Sequence, residues 1–212
     1  MNKRLTTIFN ALSGCLKFAD VGCDHGYIAK AMLDTNKAQT VIISDISAPS
    51  LKKAEKLLSN YMGKRAKSVL CDGLVGIDDN CDQVLIAGMG GEEIISILKC
   101  SPFLPQKLVL QPMKNVDKVR KRLLSIGYAI KKDFIFKDDK FYNLLVCEKG
   151  TDSYTEDEIF FGRDNLKERQ ADFIEFAKRE YKKYSALCED ESMPPDAKSE
   201  LVKLRDKYGE II

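Results

Sequence analysis

The sequence predicts an α/β fold, a largely parallel sheet wound with helices through the first 150 residues, followed by a two-helix antiparallel hairpin. Three observations carry this. Short apolar runs alternate regularly with amphipathic stretches, the pattern of βαβ units. The runs end on small, acidic or amide residues, as strands do when their carboxyl ends open into turns. Beyond Gly150 the chain becomes charged and poor in β-branched residues, and its apolar positions fall into 3-and-4 spacing.

The strands are read at Lys17–Val21, Thr40–Ser44, Ser68–Cys71, Gln83–Ala87 and Lys107–Leu110. The first leads through the turn DVGCDHGY into a helix. After the second, Ser47 and Pro49 form a helix start, and Leu51, Ala54, Leu58 and Tyr61 line one face. After the fourth, Gly90-Gly91 open a helix whose apolar positions are Ile94, Ile95 and Leu98. In KNVDKVRKRLLSIG, Lys114, Lys118, Lys121 and Arg122 share one helical face, and Val116, Val119 and Leu123 share the opposite one. YAIKKDFIFKDDKFYNLLVCEKG reads as a β-hairpin turning at Lys137-Asp138-Asp139-Lys140, with its last strand antiparallel to its partner. Leu166, Phe173, Ala177, Tyr181, Tyr184 and Cys188 mark the first helix of the C-terminal hairpin. EDESMPPD breaks it, and Ala197, Leu201, Leu204, Tyr208 and Ile211 mark the second. The expected division is residues 1–150 as the α/β domain and 151–212 as the hairpin, which has too little core to stand alone and must dock.

A chain of 212 residues with 44% hydrophobic content can bury one core of ordinary size plus an appendage. No apolar stretch approaches the roughly 20 residues that span a bilayer, and MNKRLTTIFNALSG lacks a signal peptide's apolar region, so the expectation is a cytoplasmic protein with no membrane association. The seven cysteines are scattered without a C-x-x-C pair, which fits buried reduced thiols and no metal. With 34 basic and 32 acidic residues the net charge is only +2. The basic helical face is then an ordinary solvated face unless other features call for phosphate binding.

The turn after the first strand is the most informative stretch. Its spacing, Asp20-x-Gly22-x-Asp24-x-Gly26, differs from G-x-G-x-x-G in placing two carboxylates where a pyrophosphate would lie. That repulsion disfavours a dinucleotide or ATP and favours a ligand with a cationic portion, such as S-adenosylmethionine. The glycines supply the tight turn and close approach that any cofactor needs. Asp45, which lies 19 residues after Gly26, ends the second strand where ribose hydroxyls would be read, with Ile46 beside it. Asp72, in the stretch Asp72-Gly73-Leu74, stands ready for an adenine amino group, with Leu74 packing on the ring. Any one of these aspartates alone would read as a helix or turn cap; three in succession at strand ends read as a cofactor site.

At these residues the chain resembles the bacterial tRNA adenine-N1 methyltransferases that modify adenine 22. The shared elements are KRL, DVGCDHGY, DGL, IAGMGG, LQP and FYNLL in that order. The resemblance covers essentially the whole chain. It implies a Rossmann-like class I methyltransferase domain, S-adenosylmethionine as donor, and a C-terminal coiled-coil-like pair of helices that helps engage tRNA. Two positions depart from the family pattern: Cys23-Asp24-His25-Gly26-Tyr27 replaces S-D-H-A-Y, and Met113 stands where asparagine follows Q-P.

Adenine N1 carries its own lone pair at neutral pH, so catalysis by alignment is expected, with the base drawn out of its stack into an apolar slot. Gly88-Met89-Gly90-Gly91 stands where exocyclic-amine methyltransferases carry D/N-P-P-Y. Its bare backbone suits either a close approach by the base or tight strand–helix packing. His25, Tyr27, Gln111 and Met89 are the candidates for the base; His25 also fits a structural role, and Gln111 a plain strand end. Two other classes stay open, a methyltransferase for a small molecule or protein and an inactive RNA-binding module that keeps the cofactor site. No protein partner is inferred.

Overall fold

The structure is a computed structural model describing residues 1–77, 81–190 and 192–212. Helix α1 (Lys3–Ala11) precedes β1 (Cys15–Val21), α2 (Tyr27–Asp34), β2 (Ala38–Asp45), α3 (Ala48–Leu57), β3 (Ala66–Leu70), β4 (Gln83–Met89), α4 (Gly91–Cys100), β5 (Lys107–Pro112) and α5 (Val116–Ser125). The hairpin β6 (Tyr128–Lys137) and β7 (Phe141–Lys149) follows, then α6 (Glu156–Phe161), α7 (Arg163–Glu168), α8 (Ala171–Cys188) and α9 (Pro195–Gly209).

The seven strands form one sheet in the order β3-β2-β1-β4-β5-β7-β6. The first five run parallel, and β7 inserts antiparallel between β5 and β6. Alternation along the strands divides the core in two. Phe18, Val41, Ile43, Leu85, Val109 and Leu144 face α1, α2 and α3, while Ala19, Ile42, Val84, Ile86, Leu110 and Leu145 face α4 and α5. Strand order reverses between β1 and β4, so the β1 and β4 carboxyl ends diverge into a crevice, the position where open α/β sheets bind ligands.

Local signals explain the helix starts. The Ser47 hydroxyl accepts from Ser50 N–H and caps α3, whose first turn carries Pro49. In α4 the buried positions are Ile94, Ile97 and Leu98; Ile95, expected on the same face, is only half-buried. Helix α5 begins at Val116 after Asn115 in the left-handed region, which leaves Lys114 outside the helix. Its inner face holds Arg120 together with Val119 and Leu123. The Arg120 guanidinium, 1% exposed, forms two 2.8 Å bonds to the Asp133 carboxylate and donates to the Ile159 and Phe160 carbonyls, tying α5, β6 and α6 together.

The C-terminal segment differs from the expected simple hairpin. Residues 156–168 form two short helices separated at Gly162, so Leu166 and Lys167 lie on α7 and Arg169 is its left-handed cap. The long first helix starts only at Ala171. Helices α8 and α9 do pair, with Tyr184 stacked on Tyr208, and the predicted break EDESMPPD between them includes residue 191, outside the described residues. Phe161, Phe173, Ala177, Tyr208 and Ile211 form a third cluster with Ile135 of β6, which is how this segment docks on the sheet. Among the described residues, no helix is long and apolar enough to cross a membrane, and no group of three or more His, Cys, Asp or Glu is placed to hold a metal ion.

Candidate active site

The turn after β1 is shaped by left-handed backbone at three positions, Gly22 (φ 68°), Asp24 (φ 46°) and Gly26 (φ 72°). At Gly26 a Cβ would also meet Leu58 at 2.9 Å and Ala54 at 3.0 Å, so the helix start is pressed against α3 and only glycine fits there. Gly22 and Cys23 N–H both donate to the Ser44 carbonyl, which fixes the turn against the end of β2. Beyond it opens a bowl of about 560 Å³. Asp20, Gly22, Asp24, His25, Tyr27, Asp45, Ile46, Asp72, Gly73, Gly88 and Met89 all line it.

Asp45 is the best anchored of the three strand-end acids. Its Oδ2 accepts from Asp24 N–H at 3.1 Å and its Oδ1 from Ser47 N–H at 2.8 Å. Each oxygen keeps a lone pair for a second donor, and the carboxylate cannot rotate without breaking both bonds. Asp20 lies deeper, 5% exposed. Burial, with the Asp45 charge adding to it against an opposing Ala29 N–H, pushes the Asp20 carboxyl up to about 7. Asp72 lines the bowl from the loop after β3, as does the exposed Ile46 from the end of β2.

Beside Asp24 the His25 and Tyr27 rings stack at 5.6 Å with an 8° interplanar angle, and His25 Nδ1 lies 2.7 Å from Asp24 Oδ2. That contact orients the imidazole and leaves Nε2 as its remaining polar atom. Met89 reaches from β4 across to Gly22, its methyl carbon occupying the space a Cβ there would need. Met113 N–H donates to the Met89 carbonyl at 2.9 Å, which brings the loop after β5 against the glycine-rich turn.

Three expected site residues lie off the lining. Leu74 is 1% exposed and packs in the core under α4; the apolar side chains that line the bowl there instead include Ile97, which lies against Gly73, and the exposed Ile46. Gly26 stands behind the turn against α3. Gln111 is fully buried, its amide oxygen accepting from Arg4 Nε at 2.8 Å and its amide nitrogen 3.1 Å from Met113 Sδ. Helix α1 closes the bowl with Asn2, Arg4, Leu5 and Ile8. It is the contribution that the sequence reading missed, although KRLTTIFNA is clearly amphipathic, with Leu5, Ile8 and Phe9 packed on the core. The available clue was Arg4 itself, part of the KRL element.

The family model described as tRNA (adenine(22)-N(1))-methyltransferase matches residues 18–211. The chain belongs to this family. A relative in Bacillus subtilis, named tRNA (adenine(22)-N(1))-methyltransferase, is 27% identical over 218 residues, spanning 97% of this chain and 92% of its own length. Among solved structures, the B. subtilis m1A22 tRNA methyltransferase TrmK superposes with a TM-score of 0.87 at 24% identity, over 100% of this chain and 98% of that one. The M. capricolum TrmK solved with S-adenosylhomocysteine superposes with a TM-score of 0.90 at 22% identity, over 99% and 96% of the two chains. At these identities the structural likeness shows a shared fold. As a member of the tRNA (adenine(22)-N(1))-methyltransferase family, the chain is an S-adenosylmethionine-dependent enzyme that methylates N1 of an adenine in tRNA.

Proposed function

We propose that the family reaction takes place in the β1–β4 bowl, with the donor lying across the ends of β1, β2 and β3 and the target adenine entering over Gly88–Gly90. The observation that supports this best is one continuous concavity shared by the three strand-end acids and the His25–Tyr27 pair. The donor set fits the group: acids for an ammonium and ribose hydroxyls, and, among the described lining residues, no cluster of cations for a pyrophosphate.

Asp45 would hold the two ribose hydroxyls with the lone pairs its backbone bonds leave over. Asp72 and Gly73 would border the adenine of the donor, Ile46 and Ile97 would supply apolar contact, and Asp20 would face the cationic amino-acid end. When bound, S-adenosylmethionine supplies an electrophilic methyl on a sulfonium centre. The target N1 is already unprotonated, so no side chain needs to remove a proton. The work left to this chain is to extract and align the base. The His25–Tyr27 stack offers an aromatic wall, 49% exposed at Tyr27, on which an unstacked purine can lie. Gly88 and Gly90 are faced by the flexible ends of Arg4 and Lys114, so the base edge would meet those side chains rather than bare backbone.

Residues 151–212 would hold the tRNA body. Among that segment's basic residues Lys167, Arg169, Lys178, Arg179, Lys182 and Lys183, Arg179 is stacked on Phe141 and Phe176 and bonded to Glu180, Lys183 also pairs with Glu180, and Arg169 donates to the Ile211 carbonyl. Lys167, Lys178 and Lys182 are exposed and make no ion pair among the described residues, so they are the phosphate contacts proposed. On α5, Lys118 lies against Glu92 and Lys121 against Glu156, exposed pairs that favour reading that helical face as solvated. The deciding experiment is mass spectrometry of tRNA nucleosides after incubation with the protein and labelled donor. Labelled N1-methyladenosine is expected; label in protein or free small molecules alone would overturn the assignment.

A further inference from the structure

The bowl is strongly acidic: Asp20, Asp24, Asp45, Asp72 and Glu93 all line it. Against them stands one arginine, Arg4, and no lysine is present among the described lining residues. Three contacts from different elements hold Arg4. Its backbone N–H donates to Asp138 Oδ2 at 2.9 Å, its Nε donates to Gln111 Oε1 at 2.8 Å, and its guanidinium lies 5.2 Å from the Tyr142 ring centroid. Those contacts occupy Nε and one face of the ion. The terminal nitrogens Nη1 and Nη2 have no hydrogen-bond partner among the described residues. Nη2 sits 2.8 Å from where a Cβ on Gly88 would be, so the guanidinium lies directly over the bare end of β4, where the reacting groups are proposed to meet.

A guanidinium fixed at Nε with both terminal nitrogens open presents a planar fork matched to a carboxylate or phosphate. Gln111 is fully buried and its oxygen is committed to Arg4, so its place at the end of β5 is explained by aiming that fork. We infer that Arg4 is the oxyanion-binding residue of the bowl and that Gln111 positions it. This rests on the reaction assigned above. Two oxyanions reach the site in that reaction, the α-carboxylate of the donor and a phosphodiester beside the target adenosine, and they share this chemistry.

The test uses the full chain with Arg4→Gln, which keeps a stem and removes the charge, and with Gln111→Leu, after thermal melting confirms that both are folded. Binding of S-adenosylhomocysteine, of 5′-methylthioadenosine, which lacks the carboxylate, and of an unmodified tRNA transcript is measured. If Arg4 holds the carboxylate, Arg4→Gln weakens S-adenosylhomocysteine about 10- to 100-fold and leaves 5′-methylthioadenosine unchanged. If it holds the phosphodiester, both nucleosides bind normally, tRNA binds about tenfold more weakly, and the salt slope falls by about one counterion. Gln111→Leu is expected to shift the same ligand in the same direction by a smaller factor; a purely structural Gln111 would lower the melting temperature and move all three ligands alike. A folded Arg4→Gln protein whose affinities for all three stay within about twofold of wild type overturns the inference. Because the nucleoside arms do not require turnover, a wild-type chain that binds S-adenosylhomocysteine yet leaves tRNA unmethylated would refute the reaction assignment separately.

Discussion

With the raised Asp20 carboxyl facing the donor's cationic end as proposed, donor binding is expected to depend on pH. In the ligand-free protein it titrates at about 7, and burial is the main cause. A cationic ammonium placed beside it stabilises the ionised form and returns it towards the ordinary carboxylate value of about 4. Binding therefore expels a proton whenever the free site holds one. Affinity rises with pH through 7 and then levels, because above that the proton is already gone. With these two values the linkage gives about tenfold weaker binding at pH 6 than at pH 8, with close to one proton released per site at pH 6. The same group affects the free protein in the opposite sense. Its folded value lies above its unfolded one, so stability is unaffected below about pH 4, declines between about 4 and 7 as only the unfolded carboxyl ionises, and is flat above. Calorimetry of S-adenosylhomocysteine binding in buffers of differing ionisation enthalpy, for wild type and Asp20→Asn, reads the proton count directly. The wild-type to variant affinity ratio cancels every titration that the two proteins and the ligand share. A ratio that is flat from pH 6 to 8, or that falls as pH rises, would refute the placement of Asp20 against the cationic end.

Asp45→Ala is expected to weaken S-adenosylhomocysteine by roughly 10- to 100-fold, the loss of charge-assisted ribose bonds, with Asp45→Asn intermediate because one acceptor survives; equal calorimetric affinities would reject the ribose assignment. Arg120→Met removes one partner of a buried ion pair and leaves Asp133 at 1% exposure uncompensated, so chemical denaturation should show a loss of about 3–5 kcal/mol, while Arg120→Met with Asp133→Leu should recover much of it. Lys178→Ala with Lys182→Ala is expected to weaken tRNA binding, flatten its salt dependence by about two counterions and leave S-adenosylhomocysteine affinity untouched; an unchanged salt slope would move the tRNA contact away from α8.

Much of the fold was legible because its signals are local. Four buried parallel strands, β1, β2, β4 and β5, need near-continuous apolar runs, and the acids at or just after the ends of β1, β2 and the edge strand β3 sit where a parallel sheet opens its ligand crevice, so the runs and the residues after them located both the sheet and the bowl. The Asp20-Gly22-Asp24-Gly26 spacing reported the turn for the same reason: left-handed backbone and close packing on α3 demand small residues at fixed positions. Only tertiary structure decided the rest. Whether Leu74 meets a ligand or the core depends on which way one turn residue points, and the underside of α4 claimed it. Gln111 and Arg4 are 107 positions apart, and their hydrogen bond exists because α1 packs across the ends of β4, β5 and β7. Arg120 carries the same charge as its helical neighbours, yet it falls on the inward face, where Asp133 and two carbonyls make burial tolerable. Residues 156–168 are short helices rather than the start of a long one because they must turn over that same pair to dock on β6. In each case the deciding contact joins segments far apart in sequence, and such pairings form only once the chain has closed the loops between them, a contribution that no local window of residues contains.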